Sequence, residues 1–134
     1  MSGHIATYDA RKVTTVIGGV ILTGFPDGSF VKCSKDNDNF EASSGAQGDV
    51  AIAINGDSLG TIEVTLSQTS PSVSYLDKLA NNREMVSAWV NSVNEVKEVK
   101  GGSRAMVTKP ADAEFGKSIS NRVYTIKVFD YQTK

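Results

Sequence analysis

At 134 residues, with 40% apolar and 22% charged side chains, the chain fits a single domain (residues 1–134) with one core, and its composition excludes extensive disorder. Fourteen Lys and Arg against fifteen Asp and Glu give a formal charge of −1, so there is no basic field of the kind that grips phosphates. One cysteine, Cys33, excludes an intrachain disulfide and fits synthesis in a reducing compartment.

The N-terminal stretch MSGHIATYDARK lacks the apolar core of a secretion signal. The longest nearly apolar run, Val16–Leu22, is far too short to span a bilayer. KVTTVIGGVILTG reads as two β-branched segments meeting at Gly18-Gly19, a pair suited to the positive φ angles of a tight hairpin. Val13, Thr15 and Ile17 share one face of the first segment. Pro26 with Asp27-Gly28 signals a turn, and a strand over residues 29–35 should follow. The polar run from about 35 to 49 comes next and reads as a long loop or arm.

DVAIAINGD then alternates, with Val50, Ile52 and Ile54 on one side and Ala51, Ala53 and Asn55 on the other. GTIEVTLSQ repeats the pattern, Ile62, Val64 and Leu66 inward and Thr61, Glu63, Thr65 and Ser67 outward. Two successive half-buried strands of this kind predict antiparallel pairing with one face toward water or a polar lumen. At TSPSVSYLDKLANN the period changes to three and four. Ser70 or Ser72 can cap a helix over about 71–82, Pro71 suits its first turn, and Val73, Leu76, Leu79 and Ala80 line one face. MVSAWVNSV around Trp89 returns to strand, with the tryptophan expected as a core anchor. NEVKEVK followed by Gly101-Gly102 predicts a strand and a hairpin turn. PADAEFGKSISN is an extended connection, and RVYTIKVFDY closes as a strand apolar on both faces, hence central or doubly covered. Seven or eight strands and one helix, joined by short turns, indicate a mainly β sandwich or barrel.

The inventory for chemistry is nearly empty. Asp36 and Asp38 match the first two ligand positions of a calcium loop, but Phe40 stands at the third, Glu41 replaces the turn glycine and Gln47 the terminal glutamate. His4 is the only histidine, so a histidine base for a nucleophile would have to come from the N-terminal segment, and without a second histidine there is no Cys/His zinc set. Cys33 alternates in phase with Val31 and reads as a small core residue. The acids Glu95 and Glu98, or Asp112 and Glu114, read as solvated charge. No GK[ST] or GxGxxG accompanies the glycine pairs. These readings predict no enzyme, no cofactor and no metal site.

Several motifs together resemble a family of bacteriophage tail tube proteins of contractile tails. They are ATYDARKVTTVIGGVILTGFPDGSFV, DNDNFEASSGAQGDVA, NGDSLGTIEVTLSQTSPS leading into YLDKL, and KPADAEFG before the last strand, with GGVILTGF and TLSQTSPS the most specific. The segment NSVNEVKEVKGGSRAMV carries no part of the likeness. The resemblance implies two packed antiparallel sheets forming a small barrel-like sandwich with one flanking helix. It implies hexameric rings stacked into a conduit for DNA and a tape-measure protein, with sheath and baseplate proteins as further partners. Location would be the tail of a virion made in a bacterial cytoplasm, away from any membrane. Under it, Thr61, Glu63, Thr65 and Ser67, with Ala51, Ala53 and Asn55 as a second row, are candidates for the lumen wall. Asp36, Asp38, Phe40, Glu41 and Asp49 would belong to an arm reaching a neighbouring subunit, with Phe40 its anchor. The inner tube of a bacteriocin-like particle or secretion device shares these expectations. A monomeric β-sandwich binding module, using Trp89 and the polar loop, is the reading from another class, and a carboxylate hydrolase is disfavoured.

Overall fold

The computed structural model describes residues 7–26 and 30–134. Among these residues a 3-10 turn at Ala10–Lys12 precedes ten strands and one α-helix: β1 Val13–Ile17, β2 Val20–Ile21, β3 Val31–Lys35, β4 Phe40–Ser44, β5 Val50–Ile54, β6 Gly60–Ser67, α1 Ser72–Asn82, β7 Val86–Ser92, β8 Glu98–Val107, β9 Asn121–Val128 and β10 Gln132–Thr133. They make two antiparallel sheets. The larger runs β2-β1-β7-β8-β9-β6-β3, with β10 added to β8, and the smaller is β4 with β5. The mainly β sandwich with one helix expected from the sequence is present, although strand pairing does not close it into a barrel. Instead the chain leaving β2, at one edge, reaches the other end of the path. The Ser67 amide donates to the Gly24 carbonyl at 2.9 Å, and the Phe25 and Phe30 rings meet at 4.7 Å.

Local chemistry explains these elements. Gly18 and Gly19 have φ of 60° and 84°, the two positive angles that a primed two-residue hairpin demands, and they join β1 to β2 as predicted. Thr15 and Ile17 are buried on the shared face of β1. In β6, Ile62, Val64 and Leu66 are fully buried while Glu63 is exposed and Thr61, Thr65 and Ser67 are half-buried. Burying each such aliphatic side chain stabilises the fold by ~1.5–3 kcal/mol. Helix α1 follows Pro71, buries Leu76, Leu79 and Ala80, and stops where Arg83 turns left-handed, its amide and that of Glu84 bonding back to the Ala80 and Leu79 carbonyls. The helix ties both halves of the sheet together. Tyr75 donates from its hydroxyl to the Ile17 carbonyl of β1 at 2.9 Å, and Tyr124 of β9 donates to Asp77 at 2.6 Å. Among the described residues no helix is long and apolar enough to cross a membrane.

Four expectations need correction. First, β5 does not pair with β6: β5 pairs with β4, and β6 lies between β3 and β9. Alternation reports which side chains share a face, not which surface that face meets. Secondly, Gly101-Gly102 is no turn but lies inside β8, the reversal falling between Ser92 and Glu98. Gly101 has φ of 134°, and any Cβ there would overlap the Ala88 carbonyl of β7, so the glycine serves close strand approach beside the register shift at Val86/Ala88. Thirdly, Trp89 is on the outer face and half-buried, because its neighbours Ala88 and Val90 take the core side. Its ring lies 5.7 Å from the Lys134 ammonium. Finally, β9 is central but buried on one face only, with Val123 46% exposed on the other. The Asp27-Gly28 turn, Ser29 and His4 lie outside the described residues.

Candidate functional site

The polar run and the strand after it form one projecting hairpin. Pairing begins with Asn55 donating its amide to the Asn39 carbonyl at 2.8 Å and runs through Phe40–Ile54, Ala42–Ile52 and Ser44–Val50. At the tip the Gly45 amide donates to the Asp49 carbonyl at 2.7 Å, and Gly48 adopts φ of 86°. Residues facing one another across an antiparallel pair share a face. Phe40, Ala42, Ile52, Val50 and Ile54 therefore lie on one side with Ser44, and Glu41, Ser43, Ala51 and Ala53 on the other.

That first side is apolar, and none of the described residues covers it. Phe40 is 52% exposed, Val50 65%, Ile52 61% and Ile54 78%. Every residue of both strands is exposed. The arm expected over 35–49 thus extends through Ile54, and the polar stretch is half of a hairpin rather than a loop. The Val50–Ile54 alternation is real, but among the described residues its apolar face meets no core.

The root of the hairpin is held firmly. Asp36 accepts from the Thr61 hydroxyl at 2.6 Å and pairs with the Lys127 ammonium, while its amide donates to the Leu59 carbonyl at 3.0 Å. The Asn37 side-chain amide donates to Asp57 at 2.8 Å. Asp36 is therefore a structural rivet between arm and sheet. Asp38 and Glu41 stay on the exposed arm, and Asp49 closes its tip. Among the described residues, no three His, Cys, Asp or Glu side chains converge as a metal site.

Of the candidate lumen residues, Thr61, Glu63, Thr65 and Ser67 face away from the core on β6. In register beside them stand Lys127, Thr125, Val123 and Asn121 of β9, with Ser34 and Lys32 of β3 opposite Thr61 and Glu63. Each lysine on this face has an acid next to it, Asp36 for Lys127 and Glu63 for Lys32, so no uncompensated basic stripe results. Ala51, Ala53 and Asn55 belong to the projecting hairpin and its base and form no continuous row with β6.

Cys33 packs toward the core from β3, in register with Ile62, and burial pushes its thiol pKa up to about 11, with the Lys100 charge opposing. A thiol so placed is inert near neutral pH. Sequence reasoning missed a basic and apolar groove of about 560 Å³ at the end of α1, lined by Ala80, Arg83, Met106, Lys109, Pro110 and Phe129. Its residues are scattered over 50 positions, and no local pattern joins them.

The architecture defines a class: a curled antiparallel sheet, a bridging helix and a detached hairpin arm. No protein-family model matches the chain, and no curated protein does. Among solved structures, the anti-feeding prophage cap, a tube-terminating cap determined by cryo-electron microscopy, is similar in fold. The match has a TM-score of 0.66 and 11% sequence identity, and covers 100% of this chain and 95% of the other.

Proposed function

We propose that the chain is a structural subunit of a contractile tail, assembling as hexameric rings that stack into the tail tube, and that it has no catalytic role. The carrying observation is the hairpin. A lone two-stranded hairpin is marginal in water, and here its whole apolar face is open. A neighbouring subunit would cover that face. The arm then provides half of a head-to-tail contact, the kind that closes into rings when its rotation permits. The motifs resembling tail tube proteins and the fold shared with a tube-terminating cap support the same reading. On this reading the β6 outer face is a candidate for the wall past which DNA and a tape-measure protein move, its mixed charges giving a polyanion little to hold. Sheath and baseplate proteins are the further partners, and the particle tail is the location. The same tube physics serves a bacteriocin-like or secretion device.

A second reading, a cap that terminates a tube, draws on the nature of the structural neighbour. Negative-stain electron microscopy of the concentrated protein separates them. Stacked rings are expected for a tube subunit and single rings for a cap. A species that stays monomeric at every concentration refutes both and leaves a monomeric binding module.

A further inference from the structure

The arm needs a seat, and we infer that it is the groove at the C-terminal end of α1 on a second copy of this chain. The inference rests on the assembly reading above and names the surface that reading leaves open. Charge selects this groove. Between residues 36 and 57 the arm and its root carry five acids and no lysine or arginine, and four remain once Asp36 is taken up by Lys127 of its own chain. The groove offers Met106, Pro110 and Phe129 as apolar lining, with Arg83 and Lys109 beside them. Lys109 meets Asp112 at 3.7 Å, with both side chains more than two-thirds exposed, a weakly held pair that an incoming acid can replace. Of the other acids nearby, Glu84 stands next to Arg83 in sequence, and Asp130, next to Phe129, is taken up by the Ser103 hydroxyl and the Arg104 amide. The neighbouring hollow, which shares Lys109 and is lined by Val123 and Thr125, fits less well because Asp112 and Glu114 outnumber its one base.

The pairing of an arm acid with a groove base already occurs once within the chain, where Asp36 holds Lys127 at the groove rim. The rest of the arm is exposed throughout, so it does not occupy the groove of its own chain. Arm and groove are different patches of one molecule. Their contact is heterologous and each subunit both gives and receives, which propagates into rings or stacks.

The test is charge reversal with rescue, read by sedimentation and negative stain on the full chain. Reversing the groove with Arg83→Asp and Lys109→Glu together should abolish assembly; Asp tolerates the left-handed backbone at position 83. Adding Asp38→Lys and Asp49→Lys, at the arm acids outside the paired strands, to that variant should restore assembly to within about tenfold of the wild-type concentration, because only the sign of the pairing has changed. Thermal melts confirm that each variant folds. If the groove variant assembles like wild type, or the combined variant folds but fails to recover, the groove is not the seat, while wild-type rings keep the assembly reading standing. Wild-type protein that never assembles overturns both.

Discussion

Consider replacing Ile52 and Ile54 with serine. Both sit on the open face of the hairpin, 61% and 78% exposed, so their truncation removes little burial from the isolated chain. Folding stability should change by less than ~0.5 kcal/mol per site, the usual range for surface positions. In an assembly the exposed fraction becomes buried. Scaling ~1.5–3 kcal/mol per fully buried isoleucine by those fractions gives ~1–2 kcal/mol each, or ~2–4 kcal/mol per docked arm. At about 1.4 kcal/mol per tenfold, the association constant should fall roughly 30- to 1,000-fold. Analytical ultracentrifugation across a concentration series reads that shift, and a urea melt of the monomer checks the fold. Unchanged assembly with unchanged stability would mean that the apolar face is idle, and the argument from its exposure would fail.

Two further predictions concern the fold. Gly101→Ala should destabilise the chain by about 3–5 kcal/mol, since the new methyl overlaps the Ala88 carbonyl and the φ of 134° suits only glycine; a urea midpoint within error of wild type would sink this account of the β7–β8 approach. Cys33 should react slowly with a thiol reagent at pH 7.5 and faster as pH approaches 11. Because its folded pKa lies above the ordinary 9.0, its contribution to stability is intact below pH 9 and is lost as pH rises from 9 through 11. Tyr124, pushed up by burial and by its bond to Asp77, adds a loss in the same direction at higher pH. Urea midpoints measured from pH 8 to 11 should fall, less steeply in Cys33→Ala; a flat profile contradicts the burial argument.

Where a local rule fixes the outcome, the sequence was readable. The Gly18-Gly19 hairpin follows from two positive φ angles, and helix α1 from Pro71 and the Leu76, Leu79, Ala80 spacing. The inward faces of β1 and β6 appear where alternation put them. What sequence reading missed was partner choice. Val50–Ile54 alternates like a core strand, but the property that sends it into solvent is its pairing with the polar segment Phe40–Ser44, a tertiary fact with no local mark. Gly101-Gly102 imitates a turn because glycine serves close approach as well as reversal. A tryptophan in an alternating strand points to the core, whereas at Trp89 the flanking alanine and valine hold the buried side. Phe40, Glu41 and the flanking Asp38 and Asp49 lie on the hairpin or at its ends while Asp36 is tied to the sheet, and the groove has no local mark because its lining comes from a helix end and two strands.

The register of the hairpin makes its length a quantised quantity. Adding one residue to either strand would turn that strand's apolar side chains onto the polar face, so a workable arm can grow or shrink only in steps of two residues per strand. Each such step moves the tip by ~7 Å. The Asp36 rivet at the base stays fixed while the tip travels. A set of arms differing by these steps would act as a molecular ruler, reporting the gap between one subunit and the next to within a single step.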